Sequence, residues 1–139
     1  MASKRFVFDT NVILSASLFA DSSPRKALNK ARAEGKIVLS FAVIEELYDV
    51  LKRKAFNRYL SEEERLQFLT TLVSEAVLVD ITEQVTDCRD PKDNKFLELA
   101  ICGKAECIVS GDGDLLDLHP FRGIEIFTPR EFLDGKAQK

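Results

Sequence analysis

The sequence predicts an α/β fold in which a doubly wound, five-stranded parallel sheet carries helices on both faces. Short apolar runs alternate five times with segments of helical periodicity along the 139 residues. The first run, residues 5–8, is mostly apolar without alternation, which is typical of a central strand covered on both faces. No repeat or low-complexity tract interrupts this pattern.

Each strand is predicted from a short apolar run that ends at polar residues. The ligand crevice of an open α/β sheet lies beyond the carboxyl ends of its strands. Asp9 follows the first strand, and Asp112 follows the fourth, in a segment whose two glycines are expected to let the backbone turn sharply. The predicted strands are 5–8, 36–40, 76–81, 105–109 and 123–127.

Helix boundaries follow from capping residues, glycine and proline. A buried helix is predicted over 12–19, a second one ends at Gly35, and a third spans about 42–54. The predicted starts of the other helices are Ser23 as N-cap before Pro24, the Ser61/Glu64 capping box, Asp90 as N-cap with Pro91 and Asp93 in the first turn, and the Thr128/Glu131 capping box.

Composition places the chain in the ordinary globular class. With 45% hydrophobic and 31% charged residues, we expect one domain over 1–139, with a frayed tail at about 135–139. No apolar run approaches the roughly 20 residues that span a bilayer, so we expect a cytoplasmic protein without a membrane partner. Three cysteines without metal-like spacing are expected to be free thiols. The single histidine leaves carboxylates as the groups available for catalysis.

Two further acids lie on predicted helices whose apolar faces must pack on the sheet. Glu46 borders the apolar stripe of its helix, whereas the adjacent Glu45 points away. Asp93 is in helical phase with Leu97 and Ala100 and so tops a buried face. Each acid also has a purely structural interpretation, as a helix cap, a turn residue or a surface glutamate.

Asp9, Glu46, Asp93 and Asp112 are predicted to meet in one crevice, and we call these four residues the acid cluster. Four carboxylates that lie together cannot all ionise without a cation between them. Oxygen-only ligation of this kind suits Mg²⁺ or Mn²⁺. The sequence therefore predicts a divalent metal site.

The ordered set of motifs resembles the PIN domain family over nearly the whole chain. The matching residues are Phe8-Asp9-Thr10-Asn11, Glu46-Leu47, Asp93 with Ala100, and Ser110-Gly111-Asp112-Gly113-Asp114-Leu115. The ending Phe127-Thr128-Pro129-Arg130-Glu131-Phe132-Leu133 is similar to stand-alone PIN proteins that are toxins of toxin–antitoxin pairs.

The resemblance implies that the acid cluster is catalytic and binds metal, with Asp114 as an accessory metal-binding acid. It implies that Thr10, Asn11 and Ser110 orient ligands or water. It also implies hydrolysis of phosphodiester bonds in single-stranded RNA, an antitoxin partner and a homodimer. Basic candidates for contacting the substrate are Lys26, Arg53, Lys92 and Lys95.

Two other functions stay open on the sequence alone. An aspartyl phosphotransfer enzyme also begins with a strand that ends in Asp, although the common hydrolase form has a second Asp where this chain has Asn11. A non-catalytic PIN-like module that binds RNA or protein is the other alternative, against which the complete acid cluster argues.

Overall fold

The computed structural model describes residues 4–135. Its strands are β1 (Lys4–Phe8), β2 (Gly35–Leu39), β3 (Val77–Leu78), β4 (Cys107–Val109) and β5 (Glu125–Phe127). These five parallel strands form one sheet of order β3-β2-β1-β4-β5. This confirms the predicted five-stranded parallel α/β fold. Phe6 of β1 pairs with Ile37 of β2 on one side and with Cys107 of β4 on the other.

Helices occupy the connections between the strands. The chain moves outward from β1 to β3 and then crosses back to β4. Right-handed crossovers therefore place the helix between β3 and β4 on the face opposite the helices between β1 and β2. Two short 3₁₀ helices cover Lys54–Arg58 and Pro91–Asp93. The α-helices are α1 (Thr10–Leu18), α2 (Ser23–Glu34), α3 (Phe41–Leu51), α4 (Glu62–Glu75), α5 (Asn94–Cys102), α6 (Gly113–Leu116) and α7 (Pro129–Leu133).

The core lies on both sides of β1, whose last residues are almost fully buried. Phe6 and Phe8 alternate with Val7, so they face the same side of the sheet. Both rings make edge contacts with Phe132 of α7, with centroids 5.4 and 6.1 Å apart. This packing fixes the central strand, and with it the position of the polar residues at its carboxyl end.

Two predicted helix ends differ from the structure in their details. The N-cap of α2 is Ser22 rather than Ser23, because Ser22 Oγ accepts the backbone N–H of Arg25 at 3.2 Å. Gly35 ends α2 in extended backbone and begins β2 at once. Its lack of a side chain matters because a Cβ there would lie 2.1 Å from the carbonyl oxygen of Lys4. Close strand pairing, not a helix C-cap conformation, requires this glycine.

The predicted helix over 42–54 is too long, and a buried side chain explains why. Arg65 of α4 is fully buried and its Nε donates to the carbonyl of Leu51 at 2.6 Å. Its Nη2 donates to the carbonyl of Arg53 at 3.0 Å. These carbonyls are therefore satisfied without continuing α3, and the chain turns into the 3₁₀ helix.

The predicted strand over 76–81 is reduced to two residues. Within residues 4–135 it pairs only with β2, as an edge strand does, and just beyond it the Val79 N–H donates to the carbonyl of Leu39 at 2.9 Å. Asp80 beyond it is exposed. The predicted strands over 105–109 and 123–127 likewise begin two residues later than expected, at Cys107 and Glu125.

The capping predictions are largely confirmed. Thr128 and Glu131 form a reciprocal capping box. Ser61 caps α4, but the predicted capping box differs in its second bond. The Glu64 carboxylate accepts a hydrogen bond from the Ser61 hydroxyl at 3.0 Å in place of the Ser61 backbone N–H. Asp90 caps the 3₁₀ helix rather than α5.

The remaining sequence expectations concern cysteines, membrane spans and the tail. Cys88, Cys102 and Cys107 are free thiols. Within residues 4–135, no helix combines the length and hydrophobicity that crossing a bilayer demands. The predicted frayed tail lies outside the described residues except for Gly135.

Candidate active site

The acid cluster lines one cavity of about 190 Å³ at the carboxyl end of the sheet. Its members come from four separate parts of the chain: the ends of β1 and β4, the helix α3 and the start of α5. Because β1 and β4 are neighbours from which the chain departs in opposite directions, this is the switch point where ligands of α/β sheets bind. The other lining residues are Thr10, Asn11, Val50, Arg53 and Phe96.

Asp9 combines a structural role with a place in the cavity. One carboxylate oxygen accepts the backbone N–H of Val12 at 2.9 Å and caps α1. The other accepts the hydroxyl of Ser110. The residue is only 4% exposed, and this burial raises its pKa although both hydrogen bonds favour the ionised form.

The loop after β4 holds Asp112 through backbone hydrogen bonds. Asp112 N–H donates to Ser110 Oγ at 2.9 Å, and Asp112 Oδ1 accepts the N–H of Asp114 at 2.9 Å. The expected role of the glycines is wrong, because Gly111 and Gly113 lack a left-handed backbone and a Cβ at either would meet open space. The turn is thus organised by Ser110 and Asp112 themselves.

Glu46 faces the cavity from α3, while Glu45 is exposed, so the predicted helical phase is confirmed. The hydroxyl of Thr10 donates to Glu46 Oε2. The ammonium of Lys95 donates to Glu46 Oε1 at 3.0 Å. Both oxygens of this carboxylate are therefore engaged.

Asp93 is the last residue of the second 3₁₀ helix and the N-cap of α5, but its side chain makes no capping hydrogen bond. Burial, a hydrogen bond with Asp112 and the nearby charges of Asp112, Asp90 and Asp9 raise its pKa to about 7. Its Oδ2 atom is buried and accepts no hydrogen bond from any described residue. Unlike Asp9, this carboxylate is left without compensation for its charge.

The four carboxylates of the acid cluster are suitable ligands for a hard divalent cation, although they do not already surround one point. Among residues 4–135, no three acidic, histidine or cysteine side chains are placed as a ready group around one ion. The orphaned oxygen of Asp93 and its interaction with Asp112 nevertheless show a local shortage of positive charge. Carboxylate oxygens are the ligands that Mg²⁺ and Mn²⁺ prefer. The acid cluster is therefore the group that would hold such an ion.

Other predicted site residues lie in different surroundings. Asp114 is not among the cavity-lining residues, and its carboxylate pairs with Arg89 at 3.0 Å. Lys26 and Lys92 are exposed and also outside the lining, whereas Arg53 belongs to it. Thr10 and Asn11 line the cavity, and Ser110 holds Asp9 from behind it.

Sequence reasoning missed Arg65, which positions the cavity-lining Arg53 through its carbonyl. Arg65 also donates to the carbonyl of Leu60 and to Asn57 Oδ1. It shares a helical stripe with Leu69 and Leu72, both buried. The helical spacing that places Arg65 on the same face as these leucines is the sequence feature that indicates a buried arginine.

The fold and the site together define the class of this protein. A family model described as the PIN domain matches residues 5–114, which is most of the chain, so the chain belongs to the PIN domain family. This confirms the resemblance found in the sequence. A sequence relative, uncharacterized protein MJ1680 of Methanocaldococcus jannaschii, is 32% identical over 141 aligned positions, which cover 94% of this chain and 90% of the relative.

Solved structures share the fold at low sequence identity. PAE2754 from Pyrobaculum aerophilum has a TM-score of 0.63 at 13% identity, and the match covers 97% of each chain. VapBC2 from Rickettsia felis, bound to a DNA fragment from its promoter, has a TM-score of 0.59 at 14% identity over 88% of this chain and 96% of that chain. VapC20 of Mycobacterium tuberculosis, a toxin that cleaves the sarcin–ricin loop, has a TM-score of 0.53 at 12% identity over 86% of this chain and 98% of that chain.

Proposed function

We propose that this protein is an endoribonuclease that hydrolyses phosphodiester bonds of single-stranded RNA with Mg²⁺ or Mn²⁺ bound at the acid cluster. The observation that carries the proposal is the convergence of four acids from distant parts of the chain on one cavity. This arrangement does not stabilise the fold, since like charges at close range raise the pKa values of the carboxyl groups and lower the free energy of unfolding.

The roles of the chain's residues follow from their contacts. Asp9, Glu46, Asp93 and Asp112 would hold the ion, which when bound would lower the pKa of a water molecule and offset charge on the leaving oxygen. Ser110 and Thr10 fix the Asp9 and Glu46 carboxylates by hydrogen bonds. Such outer contacts orient ligands and tune them.

Basic and accessory residues would act around this centre. Arg53 lines the cavity and would contact an RNA phosphate, and the exposed Lys26 and Lys92 would add longer-range attraction. Asn11 also lines the cavity and would orient water or substrate. Asp114 would serve as the accessory metal-binding acid beside Asp112, to which its backbone N–H donates, by exchanging its ion pair with Arg89 for the metal ion.

We extend the proposal to the biological setting of the enzyme. Two structural relatives are VapC20, a toxin, and VapBC2, bound to promoter DNA, and both support a toxin with an antitoxin protein as partner. A homodimer and a cytoplasmic location belong to the same proposal. Gel filtration with light scattering would test the dimer, and co-purification with the product of an adjacent gene would test the antitoxin.

Cleavage of labelled RNA tests the activity directly. Metal-stripped protein is incubated with single-stranded RNA, and with matched single-stranded DNA and duplex RNA, without metal and with Mg²⁺ or Mn²⁺. We expect metal-dependent internal cleavage of single-stranded RNA, and none by Asp112→Asn. RNA binding without cleavage in any metal would contradict the proposal and favour a non-catalytic PIN-like module.

A further inference from the structure

Among residues 4–135, Lys95 forms an ion pair with a member of the acid cluster. Its Nζ lies 3.0 Å from Glu46 Oε1 and also donates to the carbonyl oxygen of Lys92. The ammonium lies 5.5 Å from the centroid of the Phe96 ring. The lysine and glutamate side chains are 21% and 29% exposed, so the pair is largely shielded from water. An ion pair in such surroundings is screened less than one on the surface.

Helix stability does not explain a lysine at this position. Lys95 is the second residue of α5, where the helix dipole disfavours a positive charge. The acidic cavity supplies the favourable interaction, because the ammonium lies 3.0 Å from Oε1 of the cavity-lining Glu46. Lys95 therefore belongs electrostatically to the cavity rather than to its helix.

From these contacts we infer that Lys95 is an internal counter-cation, which occupies Glu46 in the metal-free protein and competes with the divalent ion for that carboxylate. The inference rests on the proposed function, since it presumes that the acid cluster binds metal. Glu46 Oε1 binds either the ammonium or a metal ion but not both together, because two cations at one oxygen repel each other.

The competition has two consequences that distinguish it from an ordinary structural ion pair. Without metal, the ammonium offsets part of the charge of the acid cluster and so stabilises the fold. With metal, the ammonium must withdraw from Glu46, and its flexible four-carbon stem allows it to turn outward. Removing the charge should therefore weaken the metal-free protein and at the same time tighten the binding of metal.

Calorimetric titration of Mn²⁺ into metal-stripped protein, together with melting curves in chelator, tests this pair of opposite effects. Lys95→Met should tighten Mn²⁺ binding on the order of fivefold to tenfold, the range expected for losing one partly shielded charge interaction. Its melting temperature without metal should fall below that of the wild type. Lys95→Arg keeps the charge, so its Mn²⁺ affinity should stay within about twofold of the wild type.

Lys54→Met is the matched control, because it removes the same charge from an exposed position beside the cavity-lining Arg53. Its Mn²⁺ affinity should change by less than about twofold, since solvent screens an exposed charge. If Lys95→Met does not fold, Lys95→Gln takes its place with the same expectation, because the amide retains a hydrogen-bond donor without the charge.

The outcomes separate the inference from the proposed function. If the wild type binds Mn²⁺ and neither uncharged variant binds it more tightly, the inference is overturned and the metal site stands. If the wild type fails to bind but an uncharged variant binds, the inference is supported in its strongest form. If no protein binds Mn²⁺ at millimolar concentration, the inference and the metal dependence of the proposed function both fall.

Discussion

Ser110 donates a hydrogen bond from its hydroxyl to Asp9 across 101 positions of sequence. The bond joins the ends of β1 and β4, the two strands between which the cavity opens. The same hydroxyl oxygen accepts the backbone N–H of Asp112 at 2.9 Å. One fully buried serine therefore holds two members of the acid cluster in place.

Replacing Ser110 with alanine should reduce both stability and activity. The substitution removes the hydroxyl that donates to the buried Asp9 carboxylate and accepts the Asp112 N–H. This loss costs about 1–3 kcal/mol of unfolding free energy. Urea unfolding measures this loss. Ser74→Ala is the control, because Ser74 is exposed and its hydroxyl donates only within α4. Equal stability of the two variants would contradict the role assigned to Ser110.

Neutralising either strand-end acid should abolish cleavage without unfolding the protein. Asn keeps an oxygen that can cap the following helix, as Asp9 caps α1 and Asp112 caps α6. Asp9→Asn and Asp112→Asn should each lose roughly 100-fold or more in RNA cleavage rate, since outer-shell changes alone cost 10- to 100-fold.

Asp80→Asn and Glu64→Gln are the controls for those two variants, because both acids are exposed and away from the cavity. They should retain most of the activity. Comparable losses in all four variants would remove the assignment of the site.

The two adjacent acids of α3 should differ in their importance. Glu46 contacts Thr10 and Lys95 in the cavity, whereas Glu45 is exposed. Glu46→Gln should lower the cleavage rate by roughly 10- to 100-fold, and Glu45→Gln should change it by less than about twofold. Single-turnover assays at saturating Mn²⁺ provide the comparison. The reverse order would mean that Glu46 is not a metal ligand.

The pH dependence of stability should report the crowding at Asp93. Its pKa in the folded protein is about 7, raised from the usual 3.8. At a pH between these two values, the folded state keeps a proton that the unfolded state has lost. Stability from this group is fully present below about pH 4 and declines as the pH rises through 7. Metal-free Asp93→Asn should therefore melt higher than the wild type at pH 8, with a smaller difference at pH 5.

Little offsets that gain, because the Asp93 side chain makes no capping hydrogen bond that Asn would lose. Asp80→Asn, at an exposed position, should show no such pH-dependent difference. Melting curves in chelator at pH 5, 6.5 and 8 decide the matter. A wild-type advantage that grows with pH would have the wrong sign for a crowded carboxylate.

Arg65 should be essential for stability although it lies outside the cavity. Its guanidinium donates to the carbonyls of Leu51, Arg53 and Leu60. Methionine would remove this donor from all three, although the Arg53 carbonyl would keep the backbone N–H of Phe56. Arg65→Met should cost about 2–4 kcal/mol in urea unfolding. Arg130→Met, at an exposed position, should cost less than about 0.5 kcal/mol. Similar midpoints for both variants would contradict this account.

The sequence alone predicted the parallel α/β fold, because the features that specify it are local. The unbroken apolar run of β1, the helical phase that separates Glu46 from Glu45 and the capping box of α7 each occupy a few consecutive residues. Acids placed directly after strands also predicted where the cavity lies, since strand ends of a parallel sheet share one edge.

Only the tertiary structure decided which partners these residues have. The ion pair of Lys95 with Glu46 and the bond of Ser110 to Asp9 join positions 49 and 101 residues apart. The end of α3 and the need for glycine at position 35 likewise depend on Arg65 and on the Lys4 carbonyl, which lie on other elements. Local periodicity shows that a side chain is directed inward. Periodicity does not show which distant donor or carbonyl the side chain contacts, because the packing of whole helices and strands determines those contacts.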